Sequence, residues 1–105
     1  LSLHDALPIS KQSVVVIENQ INIGNNCLKV VEALRNSGCK VLGVITIFDY
    51  GFPSTHKKLE KAGIDLTSLT NLETVLHHAK NMNMLDLDQC NLIQMWQKQP
   101  AKWSR

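Results

Sequence analysis

The apolar residues of this chain fall into two kinds of run: unbroken β-branched stretches, and stretches that recur every third or fourth residue. Ser13 to Glu18 (SVVVIE) and Lys40 to Phe48 (KVLGVITIF) are of the first kind. Runs of that length and composition read as strands buried on both faces, as in a parallel sheet. Between them, from about Asn26 to Ser37, Leu28, Val31 and Leu34 recur at helical spacing. Val30 and Ala33 broaden that stripe, and Lys29, Glu32 and Arg35 carry the charge. Gly38 stands where a helix-ending glycine belongs. Strand, helix, strand predicts a βαβ unit with parallel strands and a right-handed crossover.

The second half is more helical. Asp49 to Pro53 (DYGFP) is turn chemistry. Ser54 to Ala62 reads as a short amphipathic helix closed by Gly63, and Ile64 to Leu69 as a short extended piece. Thr70 and Glu73 fit a capping box, opening a helix that turns Leu72, Val75, Leu76 and Ala79 inward. Asp86 and Gln89 repeat that logic for a last helix, with Leu92, Ile93 and Trp96 on its apolar face and Pro100 beyond its end. The fold class expected is α/β, a parallel βαβ core followed by C-terminal helices. In open sheets of this kind ligands gather beyond the carboxyl ends of the strands. That places the candidate site at Glu18 to Asn26 and around Asp49 to Phe52.

Composition narrows the class without deciding it. The 105 residues allow one small domain or part of a larger one, and 44% hydrophobic with 19% charged residues is ordinary for a folded soluble chain. A net charge of +2 with scattered lysines gives no electrostatic footprint for nucleic acid. No apolar run approaches the ~20 residues of a membrane span. Cys27, Cys39 and Cys90 are odd in number and form no CxxC, which reads as buried, reduced thiols in a cytoplasmic protein. His77 and His78 are neighbours on a helix and point about 100° apart, so a solvated face is expected rather than a metal pair. His56 reads as surface, Trp96 as a packing anchor, and Met82, Met84 and Met95 as fillers of core gaps. Asp49 and Tyr50 follow a strand on the ligand side, where pocket lining and turn packing are equally open readings.

The first residues are unlike the rest. Leu1 to Ile9 (LSLHDALPI) lacks the basic and apolar regions of a signal peptide. Ser2 to Ile9 can be encoded by codons matching the end of a common sequencing adapter. Residues 1–9 are therefore expected to be adapter-derived, with a disordered leader as the alternative, and His4 and Asp5 are excluded from any site. The domain is expected to occupy 10–105.

VVVIENQINIGNN, from Val14 to Asn26, resembles the phosphoribosyl-pyrophosphate loop of the type I phosphoribosyltransferases. LKVVEALRNSGCKVLGVITIFDYGF (Leu28 to Phe52), LTSLTNLETVL (Leu66 to Leu76) and LIQMWQKQPAKW (Leu92 to Trp103) are similar to the orotate subfamily. The resemblance implies a partial type I phosphoribosyltransferase fold from the C-terminal half of such an enzyme. It implies the conversion of orotate and phosphoribosyl pyrophosphate to orotidine monophosphate and pyrophosphate, with magnesium, in a cytoplasmic homodimer. It implies that Glu18, Asn19, Gln20, Ile21, Asn22, Ile23, Gly24, Asn25 and Asn26 bind phosphoribosyl pyrophosphate, and that Asn22 also touches orotate. It implies that transition-state charge is stabilised there by position and electrostatics, with backbone amides around the 5′-phosphate.

The loop departs from the family pattern, which reads close to EDLISTGGS or EDLISTGKS. Asn19 replaces an acid, which keeps shape and loses charge. Asn22 and Ile23 replace small hydroxyl residues, and a β-branched side chain at the latter crowds the phosphate. Asn25 and Asn26 replace glycine or lysine and then serine; asparagine tolerates left-handed backbone, so the loop is expected still to turn there. The family's basic catalytic loop has no counterpart in the sequence, so no catalytic residue is assigned and negligible turnover is expected of this chain alone. The alternative is a non-catalytic α/β binding or regulatory module on the same fold.

Overall fold

The computed structural model of the protein describes residues 12–103; the expectations for 1–9, with His4 and Asp5, lie outside them. The elements run β1 (Ser13–Ile21), α1 (Asn25–Asn36), β2 (Lys40–Asp49), α2 (Pro53–Lys61), β3 (Leu66–Asn71), α3 (Leu72–Asn81) and α4 (Leu87–Lys98), ending in a 3-10 turn, Pro100–Trp103. The strands form one parallel sheet in the order β1-β2-β3. Ile17 lies beside Ile45, and Ile45 beside Thr67. The α/β class and the parallel βαβ unit are as expected. The piece read only as extended is a third parallel strand, set two residues later.

Two local features shape the sheet. β2 carries a bulge opposite the Val14–Val15 step, where Val41 and then Gly43 face consecutive β1 residues. A Cβ on Gly43 would lie 3.0 Å from the Asp65 carbonyl oxygen. That oxygen accepts from Val44 N at 2.8 Å, so only glycine lets the α2–β3 connection come this close.

α1 and α2 cover one face of the sheet. Val16, Ile21, Cys27, Val31, Val44, Leu59 and Ile64 form the core there, flanked by Leu28, Leu34, Val41, Ala62 and Leu66. Arg35 ties the two helices together, its guanidinium donating to Ala62 O at 2.6 Å and Gly63 O at 3.1 Å. The opposite face is open among the described residues: Val15, Ile17, Ile45, Ile47 and Leu69 are exposed, Ile17 by 75% and Leu69 by 72%. The expectation of strands buried on both faces is therefore corrected. An unbroken apolar run reports the hydrophobicity of both faces, not whether a layer covers each.

Three smaller corrections follow from packing. Val30 and Ala33 face outward, so the inward stripe of α1 is narrower than its apolar content. The cap of α3 is Asn71, whose Oδ1 accepts from Thr74 N at 2.8 Å, not Thr70. The strand runs on through Thr70 and Asn71, opposite Phe48 and Asp49, so the helix starts one residue later. Met82, Met84 and Met95 are exposed rather than filling gaps, because Leu76 and Cys90 take the inward positions between α3 and α4. The Asp86–Gln89 capping box of α4 forms as expected, with bonds of 2.7 and 2.9 Å. Cys27, Cys39 and Cys90 are buried and in no disulfide. Among the described residues no helix is long and apolar enough to cross a membrane.

Candidate functional site

β1 continues through Ile21, so Glu18, Asn19, Gln20 and Ile21 are strand residues rather than loop. Asn22 and Ile23 make the turn, and Gly24 is the N-cap of α1 at φ 85°. Asn25 and Asn26 are already helical, so the left-handed conformation expected of them belongs to Gly24. The reason is tight space as well as φ: a Cβ on Gly24 would sit 3.0 Å from Thr55 Cγ2. No side chain caps α1, and its first turn holds no acid. Its leading amides and dipole are therefore offered to an anion.

Glu18, Asn19, Gln20, Ile21, Asn22, Gly24, Asn26 and Cys27 line one cavity of about 230 Å³ at this helix start. Ile23 and Asn25 are the predicted site residues that it leaves out. Ile23 is exposed and turns to a second cavity of about 570 Å³, walled by Asn22, Tyr50, Phe52, Ser54, Trp96, Pro100 and Ala101. Asn25 turns to Lys58, whose Nζ donates to Asn25 Oδ1 at 3.0 Å. Asn22 thus borders both cavities. Its own Oδ1 accepts from Ile23 N at 2.6 Å.

The electrostatics are sparse. Glu18 is half-buried and, among the described residues, is the one carboxylate bordering the smaller cavity. Burial pushes the Cys27 thiol up, and the nearby Glu18 carboxylate pushes it further in the same direction. Among the described residues no lysine or arginine lines either cavity. Among the described residues no three acidic, histidine or cysteine side chains cluster as a metal site.

The second cavity is held by aromatic packing. Tyr50 stacks on Phe52 at 5.5 Å, and Trp96 of α4 meets Phe52 edge-on at 5.1 Å and Tyr50 at 6.4 Å. Gln97 Nε2 donates to Tyr50 O at 2.7 Å, which pins the DYGFP turn to α4. Trp96 is the anchor it was expected to be. Of the open pair, Tyr50 lines this cavity, whereas Asp49 is buried and borders a different cavity of about 420 Å³, beside His56, Leu59 and Ile64. Asp49 Oδ1 accepts from Gly51 N at 2.8 Å and its Oδ2 pairs with His56 Nε2 at 2.7 Å. His56 was expected as plain surface; it is half exposed but holds a buried carboxylate.

Sequence reasoning missed Thr55, Lys58 and Gln97, and the role of His56. Only one signal pointed to any of them: an Asp ending a strand with a His one turn into the next helix marks the Asp49–His56 contact. The others act across 33 or more residues of chain, which no local pattern records.

The chain is 38% identical over 90 residues to orotate phosphoribosyltransferase of Porphyromonas gingivalis, covering 86% of this chain and 43% of that protein. It is 40% identical over 99 residues to orotate phosphoribosyltransferase of Listeria monocytogenes, covering 93% and 47%. It therefore spans a little under half the length of the curated relatives it matches. Among solved structures, UMP synthase of Leishmania donovani superposes with a TM-score of 0.73 over 90% of this chain and 20% of that one, at 20% identity, a likeness of fold alone. The Mycobacterium tuberculosis orotate phosphoribosyltransferase, in complex with 5-phospho-alpha-D-ribosyl 1-diphosphate, superposes with a TM-score of 0.53 at 30% identity, covering 58% and 36%. No protein-family model matches the chain.

Proposed function

Taking as premise that the chain is a relative of the orotate phosphoribosyltransferases spanning a little under half their length, we propose that it is the phosphoribosyl-pyrophosphate-binding part of such an enzyme. The observation that carries this is the cavity running from Glu18 to the uncapped start of α1 at Gly24. A helix start with free amides suits a 5′-phosphate. Glu18 accepts from the ribose hydroxyls, and Asn19 supplies a neutral acceptor beside it. Asn22, shared by both cavities, stands between sugar and base. Tyr50 and Phe52 give the larger cavity a flat wall suited to a planar orotate ring.

In the reaction orotate bonds to C1 of the ribose as the bond from C1 to pyrophosphate breaks, giving orotidine monophosphate and free pyrophosphate. Magnesium enters this reading with the pyrophosphate, and Glu18 is the residue able to approach it, since such ions take one carboxylate and complete their shell with phosphate oxygens and water. The leaving pyrophosphate needs positive groups, and among the described residues neither cavity has any. The 105-residue polypeptide therefore binds its substrate without turning it over. A cytoplasmic setting and a homodimeric whole enzyme belong to the same reading; light scattering of an intact relative carrying this segment checks the dimer.

Titration calorimetry with phosphoribosyl pyrophosphate and magnesium tests the proposal. Saturable heat supports it, and none at millimolar ligand refutes it. A purely regulatory module is the rival, favoured by Ile23 in the wall of the larger cavity and by the amide that Asn22 already occupies. Restoring the family pattern separates the two. Asn19→Asp, Asn22→Ser, Ile23→Thr, Asn25→Gly and Asn26→Ser together, in a full-length context, recover transferase activity on the first reading and leave none on the second.

A further inference from the structure

The turn between β1 and α1 is held from behind by α2. Thr55, 1% exposed, donates its hydroxyl to Asn22 O at 2.6 Å. Lys58 Nζ donates to Ile23 O at 3.0 Å and to Asn25 Oδ1 at 3.0 Å. Two successive carbonyls of the turn are thus drawn toward one helix. In a trans peptide the C=O and N–H point in opposite directions. Pinning Asn22 O and Ile23 O on α2 therefore turns the next two amides, of Ile23 and Gly24, away from α2. Successive amides turned to one side form a concavity that attracts oxyanions. An oxygen already lies against the first of them: Asn22 Oδ1, 2.6 Å from Ile23 N. Lys58 also brings a cation to this turn, with one of its three donors left over after the two bonds described.

Resting on the reading of this turn as a phosphate site, we propose that Thr55 and Lys58 are positioning residues for the sugar 5′-phosphate. They hold the turn amides forward before the ligand arrives, and Lys58 adds charge from the rear. Neither touches the ligand, because neither lines the cavity. Preorganised amides stabilise a bound anion without paying for reorganisation at the moment of binding.

The test is titration of ribose 5-phosphate into the 105-residue protein and its variants, with thermal melts alongside. Lys58→Met is expected to weaken binding about tenfold, the loss of a charge-assisted contact. Lys58→Arg should restore it to within about threefold, since a cationic donor remains. Thr55→Val keeps shape and removes the donor, with a loss of about three- to tenfold. Lys61→Met, an exposed lysine on the same helix, is the control and should change nothing. Equal affinity of Lys58→Met and the parent overturns the proposal. So does a Lys58→Arg variant that falls as far as Lys58→Met, which would make the residue a structural prop alone. If the parent itself fails to bind ribose 5-phosphate, the phosphate-site reading is lost and this inference goes with it.

Discussion

At the scale of single residues, Asn22 and Cys27 make opposing use of small spaces. The Asn22 carboxamide fills the place of an incoming oxygen by accepting from Ile23 N. Asn22→Ser withdraws that oxygen, and the phosphate of phosphoribosyl pyrophosphate is expected to bind about three- to tenfold tighter, the worth of one exchanged hydrogen bond. Calorimetry on the pair of proteins decides it, and unchanged or weaker binding counts against the assigned role. Cys27 is a buried thiol raised first by desolvation and then by Glu18. The neutral form is therefore favoured in the native state. Stability is complete below the ordinary thiol pKa and declines as pH climbs through the raised native value. Urea midpoints from pH 7 to 10 should fall over the upper part of that range, and Cys27→Ser should flatten the decline. At pH 8, alkylation of Cys27 should proceed only as fast as the chain opens.

At the scale of elements, α2 is the joint of the molecule. Its first turn is fixed by Thr55 on Asn22 and His56 on Asp49, and its second by Lys58 on the turn before α1. Removing His56 leaves a buried carboxylate with only Gly51 N as partner. His56→Ala should destabilise the protein by about 1–2 kcal/mol, less than for a fully buried pair because the imidazole is half in solvent. His56→Gln should return part of that loss by supplying a neutral donor; denaturant melts measure both. How far such elements were legible depends on how local their causes are. The strand runs, the Asp86–Gln89 box and the Gly24 turn are written in adjacent residues, and each was read at or near its place. The α3 cap was read one residue early because a pattern match cannot see that β3 runs on through Asn71, opposite Asp49. The clamp of α2 on the turn was invisible, since Thr55 and Lys58 look like ordinary polar helix residues until the fold brings them 33 positions back along the chain.

At the scale of the whole molecule, the described residues leave the sheet with one covered face and one open one. Val15, Ile17, Ile45, Ile47 and Leu69 make a contiguous apolar surface of the kind that drives association. The 105-residue polypeptide should bind a hydrophobic dye strongly and grow in apparent mass with concentration. Ile17→Lys with Ile47→Glu should suppress both while leaving phosphate affinity intact, because the α1 turn lies on the covered side. Sedimentation and dye fluorescence read the two effects, and a parent that stays monomeric at high concentration would show the open face to be harmless. The sequence was misleading here for a definite reason. Apolar content on both sides of β1 and β2 states what the strands require, whereas their cover depends on layers that these strands do not encode.

The dependence of the turn on α2 also fixes when the site comes into being. A ribosome releases Glu18 to Asn26 long before Thr55 and Lys58 emerge. A nascent chain halted in β2 would carry every residue of the turn, with nothing behind it to orient the amides. Affinity for sugar phosphate should therefore switch on late in synthesis, as the second helix docks, and arrested chains of increasing length would reveal the step.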